Sequence, residues 1–180
     1  MFDVPVPDAE ERRDNATFQA VLDALARPGL VRALPEPGPL TVARALIDRE
    51  CRATADEAEA RDALAALGAA VVPPELADHA ILRVADAAGV ERFARLPVGC
   101  ALHPERGATA ILGGRIGDGQ RLRLRGPGIE RAREVALGGM HETVWAARKA
   151  ACRYPLGIDL LIVDGERLLG LPRSTAIEVL

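Results

Sequence analysis

Ile158-Asp159-Leu160-Leu161-Ile162-Val163 is apolar at every position but one. A strand can bury such a run only when both its faces are covered, as in the middle of a sheet with layers on either side. Arg121-Leu122-Arg123-Leu124-Arg125 has the opposite pattern. Charge and leucine alternate strictly there, so one face of that strand packs inward and the other meets water. Around these two lie further strand-like runs, His79 to Val84, Ala108 to Leu112 and the short Leu30 to Leu34, separated by helical stretches. One doubly covered strand, one half-covered strand and interspersed helices predict an α/β protein, a layered sandwich on a mixed sheet. The 180 residues show no internal repeat and no linker, which fits one domain over 1–180.

The helices are read from spacing and punctuation. Phe18, Val21, Leu22 and Leu25 fall at i, i+3, i+4 and i+7, an amphipathic helical face. Asp14 or Asn15 is available to cap its start, and Arg27-Pro28-Gly29 ends it, because a residue before proline avoids the α region. Pro35 to Pro39 is a turn-rich loop, and Thr41 caps a short helix through Ile47. Thr54-Ala55-Asp56-Glu57 has the form of a capping box opening an Ala/Leu-rich helix that stops at Gly68. Asp86 to Leu96 and His141 to Cys152 are the remaining helices.

Composition excludes several function classes. Apolar residues make up 49% and charged residues 27%, as in an ordinary folded protein. Aromatics are only 3%, too few rings for a base-stacking surface, and a net charge of −3 provides no basic balance for a phosphate backbone. No nucleic-acid partner is expected. No apolar run is long enough to cross a bilayer, and the acidic, Pro-containing start from Met1 to Glu11 does not resemble a signal peptide. A cytoplasmic protein without a membrane partner is the expectation. Cys51, Cys100 and Cys152 are odd in number and widely spaced, so they read as small buried hydrophobes in a reducing compartment rather than disulfides or zinc ligands.

Several segments have the composition of a site. Gly113-Gly114-Arg115-Ile116-Gly117-Asp118-Gly119 is glycine-dense, but no Gly-Lys-Ser/Thr follows and the next element is a strand, so it reads as a hairpin turn joining 108–112 to 121–125. Gly126-Pro127-Gly128-Ile129-Glu130-Arg131 starts like a dinucleotide fingerprint that opens a helix, but Arg131 stands where the third glycine belongs. A tight turn with Gly126 and Gly128 supplying special backbone angles is the plainer account, and a backbone nest for an anion is the sharper one. His141-Glu142 lacks the second histidine of a zinc-protease helix, Trp145 being in its place, and no metal site is expected. Ser174 is the only serine and has no nucleophile elbow, so no catalytic residue is assigned. Arg121, Arg123, Arg125, Arg131 and Arg133 are a phosphate-gripping patch, a surface for an acidic partner, or a solvated face diluted by Glu130 and Glu134. Arg173 in Leu171-Pro172-Arg173-Ser174-Thr175 is the best ligand- or partner-binding candidate: Pro172 stiffens the backbone, and Ser174 and Thr175 add donors. Its plainer role is an ion pair with Asp159 or Asp164.

Taken together, FQAVLDALARPG (18–29), GCALHPERGATAIL (99–112), LRLRGPGI (122–129) and YPLGIDLLIVDGERLLGLPRSTAIEV (154–179) resemble the PhnH family of the bacterial carbon–phosphorus lyase system, which lets bacteria use phosphonates as a phosphorus source. The stretches run in family order from the first helix to the end of the chain. Tyr154 replaces a common phenylalanine, Ser174 a frequent threonine, and 51–76 and 141–152 match loosely.

The resemblance implies a fold akin to the large domain of pyridoxal-phosphate-dependent transferases, without that cofactor. It implies assembly with the PhnG, PhnI and PhnJ subunits into a core that attaches a methylphosphonate-type substrate to ribose triphosphate and later cleaves the carbon–phosphorus bond. It carries no catalytic residue onto this chain. No cofactor is expected: Schiff-base capture of pyridoxal phosphate needs a lysine, and Lys149, the only one, sits mid-helix beside Arg148. The expected role is therefore an accessory subunit, a homodimer when alone. The alternative is a stand-alone enzyme or anion-binding protein acting on a phosphorylated ribose or nucleoside at Arg173 and the Gly126–Gly128 turn. Arg173 is expected to matter for binding or assembly more than for folding.

Overall fold

The computed structural model describes residues 6–180, so the first five residues of the Met1 to Glu11 segment lie outside the described residues. In chain order the elements are α1 (Ala9–Ala26), β1 (Val31–Ala33), α2 (Pro39–Leu46), β2 (Arg52–Ala55), α3 (Ala58–Ala66), β3 (Ala70–Val71), a 3-10 turn (Pro74–Leu76), β4 (His79–Leu82), α4 (Ala87–Ala94), β5 (Val98–Cys100), β6 (His103–Gly107), β7 (Thr109–Gly113), β8 (Arg115–Arg125), β9 (Arg133–Gly138), α5 (Val144–Ala151), β10 (Asp159–Asp164), β11 (Arg167–Leu171) and β12 (Ala176–Val179). A seven-stranded sheet runs in the order β1-β11-β10-β7-β4-β2-β3. Strands β10, β7, β4, β2 and β3 are parallel; β11 is antiparallel to β10, and the edge strand β1, antiparallel to β11, runs in the common direction again. The mixed sheet predicted from sequence is therefore present.

The alternation along β10 accounts for its apolar run. Leu160 and Ile162 join a cluster formed with α4, α5 and the second sheet, which is β12-β8-β9 and wholly antiparallel. Leu161 and Val163 join a cluster formed with α1, α2 and α3 on the opposite face. All four are at most 3% exposed, so the strand is sealed on both sides. Leu122 and Leu124 of β8 point into the first cluster at 0% exposure, and Arg121 and Arg125 face water, as their alternation requires.

Some local expectations give way to tertiary geometry. Helix α1 starts earlier than Asp14 or Asn15: Asp8 caps it, accepting from the Glu10 and Glu11 amides at 2.8 and 2.9 Å, and Glu11 returns the bond. The buried face of α1 is Thr17, Ala20, Val21 and Ala24, while Phe18 and Leu22 are nearly half exposed. The helix backbone lies directly on Gly170 of β11, where an added Cβ would stand 2.7 Å from Ala24, so small residues make the contact. Thr54 and Ala55 belong to β2, not to a capping box. Glu57 is the N-cap of α3 and makes no side-chain cap bond. Helix α2 starts at Pro39, and Thr41 inside it donates to the Pro37 carbonyl.

The 113–119 segment is not a hairpin between its flanking strands. β7 lies in the large sheet and β8 in the small one, so Gly113-Gly114 is the corner where the chain changes sheets. Gly117 and Gly119, at φ +96° and +88°, form an irregularity inside the long β8. Likewise Gly126–Arg131 opens no helix: it leads into β9.

His79 at the start of β4 is half-buried, and its Nδ1 has no hydrogen-bond partner among the described residues. Burial holds its pKa below the ordinary 6.5 against the opposing pull of Asp78 and Asp48. The unfolded chain then takes up the proton first as pH falls. The stability that neutral His79 contributes is complete above pH 6.5 and declines as pH falls below it toward the folded pKa. Thermal melts between pH 7.5 and 5.5 should therefore fall less steeply for His79→Gln than for the parent chain. Parallel slopes would exclude this contribution.

Candidate functional site

Charged side chains converge in several concavities. One, of about 380 Å³, lies between α1, α2 and Glu36, where Arg13 and Arg44 pair with Glu36. Two others hold the candidate sites. The larger of these two lies at the carboxyl ends of β2, β4 and β7 and has a volume of about 590 Å³. Asp56 and Glu57 follow β2 into it, Arg83 and Ala85 follow β4, and Gly113, Gly114 and Arg115 come from the corner after β7. The topology explains the opening. From β2 the chain enters α3 on one face of the sheet, and from β4, its immediate neighbour, it enters α4 on the other. Adjacent parallel strands whose continuations diverge leave a crevice beyond their carboxyl ends. Asp56 braces one wall: it accepts from the Arg83 amide at 2.8 Å and from Arg92 of α4 at 2.6 and 3.1 Å. Apart from the glycine segment none of these residues reads as a site candidate in the sequence, where Asp56 and Glu57 appear only as part of a capping box. The signal available was the charged residue directly after each of these strands, Asp56, Arg83 and, past Gly114, Arg115.

The second concavity, about 270 Å³, lies between α5 and the turn that follows β11. Arg173, Ser174 and Thr175 line it with Trp145, Arg148 and Lys149. Arg173 is largely consumed by the fold. Its amide donates to Asp159 Oδ1 at 2.6 Å, Nε and Nη2 hold both carboxylate oxygens at 2.5–3.2 Å, and Nη1 and Nη2 donate to the Pro104 and Gly107 carbonyls at 2.6 and 3.1 Å. The partner is Asp159, the first of the two carboxylates named from sequence. Asp164 instead pairs with Arg167 and accepts from the Ile116 amide. Gly126 belongs to the same neighbourhood, since its added Cβ would stand 2.8 Å from the Ser174 carbonyl. Gly128 does not: it packs against Ala26 and Pro28 at the end of α1.

Arg148 is the residue the sequence hid. It is 3% exposed and donates to the Thr175, Leu171 and Pro172 carbonyls at 3.2, 3.4 and 2.7 Å. Burial pushes its pKa down, partly offset by Cys152 and Asp159. Its Nε and the Thr175 hydroxyl have no hydrogen-bond partner among the described residues. Arg148 forms no ion pair among those residues, Lys149 beside it is exposed, and the hollow therefore carries excess positive charge. The signal was helical spacing, because Val144, Trp145 and Arg148 share one face of α5.

The arginine run on β8 and β9 resolves as a solvated, cross-linked face. Arg121 and Arg123 both pair with Glu134, at 2.8 and 3.1 Å, and Arg123 reaches Glu178 at 3.4 Å. These guanidiniums hold the Glu134 carboxyl below the usual range. Arg133 turns away to the Pro28 carbonyl. No histidine lines the hollow that holds Ser174.

Layer order, strand polarity and the crevice define an α/β sandwich with one open mixed sheet and a smaller antiparallel sheet packed on it. Over residues 7–178 the chain matches the family described as bacterial phosphonate metabolism protein (PhnH), and it belongs to that family. It is 33% identical over 175 residues to the putative C-P lyase subunit protein HtxG of Stutzerimonas stutzeri, covering 93% of this chain and 87% of that protein. It is 29% identical over 188 residues to the alpha-D-ribose 1-methylphosphonate 5-triphosphate synthase subunit PhnH of Rhizobium meliloti (strain 1021), covering 91% and 89%.

Proposed function

We propose that this chain is an accessory subunit of a carbon–phosphorus lyase core, assembling with PhnG, PhnI and PhnJ in the cytoplasm and performing no chemistry by itself. The observation that carries this is the match along nearly the whole chain to two proteins named as subunits of such systems. The surface supports a docking role. Phe18 and Leu22, one turn apart on α1, are 45% and 46% exposed, and Tyr154 beside the hollow is 77% exposed. Half-exposed aromatic and aliphatic side chains are what an interface core recruits.

In this account the hollow of Arg148, Lys149, Arg173, Ser174 and Thr175, with Gly126 behind it, receives an acidic group of a partner. Asp159 neutralises Arg173, but no carboxylate among the described residues neutralises Arg148. Residues 1–180 act as one unit resembling the large domain of pyridoxal-phosphate-dependent transferases without that cofactor. Lys149 lines the hollow rather than the crevice at the strand ends, so it is out of place to hold an aldehyde there.

Co-expression with tagged PhnI, PhnG and PhnJ followed by sizing tests the proposal. The chain is expected to elute with them, and to form a homodimer when expressed alone. A chain that elutes separately, with a concentration-independent monomer mass by light scattering, would contradict both statements.

A further inference from the structure

The crevice at the carboxyl ends of β2, β4 and β7 has features that a docking role leaves unused. We propose that it is a binding site for a small hydroxylated phosphate ester, a sugar phosphate or nucleotide, with Arg83 on the phosphate and Glu57 on the hydroxyls.

The crevice lies where such a fold binds ligands. Open α/β sheets bind ligands where adjacent parallel strands send their connections to opposite faces. Here β2 is followed outward by β3, while β4, β7 and β10 are added in the other direction, so the divergence falls between β2 and β4, directly beneath the crevice. Its volume of about 590 Å³ suits a ligand of that class.

Gly113 points the same way. Of the chain's 17 glycines it alone has neither a positive φ nor any atom within 4 Å of an added Cβ. The fold does not require glycine there, and glycine in a strand costs backbone entropy. A glycine that the fold can spare, at the end of β7 and on the crevice wall, marks a surface against which something else lies closely.

Charge selects the class of ligand. Four charged residues line the crevice: Asp56, Glu57, Arg83 and Arg115. Asp56 is engaged by Arg92, and Arg115 by Asp118 at 2.8 Å. The side chains of Glu57 and Arg83 are exposed and form no ion pair among the described residues, with each other or with any other group. A purely anionic ligand would meet Glu57, and a cationic one would meet Arg83. A phosphate ester bearing hydroxyls satisfies both, because a guanidinium is a donor only and grips phosphate as a fork, whereas a carboxylate is an acceptor only and takes hydroxyl protons. Pro39, Leu82 and Ala85 offer apolar contact for the carbon skeleton.

The inference does not rest on complex membership, and the isolated full chain tests it. Calorimetric titration with ribose 5-phosphate is expected to saturate, and ribose alone and inorganic phosphate should each bind at least about tenfold more weakly. Arg83→Ala should weaken ribose 5-phosphate by about tenfold or more, and Glu57→Gln should weaken the ester while binding inorganic phosphate no more weakly than the parent chain, since it removes a carboxylate that repels the anion. Gly113→Leu should abolish binding with its melting temperature unaltered. If that variant does not fold, Arg83→Ala and Glu57→Gln decide. No saturable binding of ribose 5-phosphate at millimolar concentration, or binding indifferent to these substitutions, overturns the proposal. A chain that elutes with PhnI yet binds no ester overturns this inference and leaves the subunit role standing.

Discussion

Arg173→Ala is expected to lower the melting temperature by roughly 4–16 °C. The Arg173 and Asp159 side chains are 15% and 19% exposed, so this is not the surface pair whose loss costs little. Alanine would strand a mostly buried carboxylate and leave the Pro104 and Gly107 carbonyls without their donor. Stranding a buried partner costs about 2–4 kcal/mol, and in a chain of this size each kcal/mol moves the midpoint by about 2–4 °C. Arg173→Lys should recover only part of the loss, because one ammonium cannot hold Asp159 and reach both carbonyls at once. Asp159→Asn should be destabilising too, and the double variant should cost less than the sum of the two singles, as directly coupled side chains do. A shift below about 2 °C for Arg173→Ala would return the residue to the surface-pair class. The consequence for assembly experiments is direct: a binding defect in Arg173→Ala is informative only at a temperature where the variant is folded.

Arg173 shows what sequence can carry. Its local setting, a stiff proline before it and two hydroxyl residues after it, is legible, and so is the pairing with Asp159, only 14 positions away. The two carbonyls it also holds are 69 and 66 positions away on β6 and could not be seen without the tertiary fold. The same divide runs through the architecture. The apolar run 158–163 and the alternation 121–125 both came out as read, because burial on two faces or one writes itself into consecutive residues. That these strands belong to different sheets did not, since the corner at Gly113-Gly114 looks in sequence like any glycine turn. The short strands β2, β3, β5 and β6 carry two to five residues each, too few for a period to register. On α1 hydrophobic spacing marks Val21 and Leu25, which do pack inward, but also Phe18 and Leu22, which stay nearly half exposed, and it misses Ala20 and Ala24, the latter lying directly on Gly170.

The two concavities were legible to different degrees. The turn at 172–175 was found as chemistry, arginine beside hydroxyls, but its buried neighbour Arg148 was passed over in favour of the adjacent Lys149. A guanidinium on the apolar face of a helix contradicts the usual expectation that charge marks the wet side. The crevice at the strand ends is scarcely legible, because its signal is one charged residue after each strand. Asp56, Glu57, Arg83 and Gly113 span 57 positions and share no motif, and only the order of strands in the sheet assembles them.

Removal of the gene is expected to have the largest effect, because a subunit acts through the assembly it completes. The family match along residues 7–178 and the subunit names of two relatives place the burden on phosphonate use rather than on general phosphorus supply. The most direct measurement is growth of a deletion strain of the bacterium carrying this chain, with methylphosphonate or inorganic phosphate as the sole phosphorus source, and with the intact gene returned in trans. The account predicts no growth on methylphosphonate, normal growth on phosphate, and full recovery on complementation. Undiminished growth of the deletion strain on methylphosphonate would contradict it.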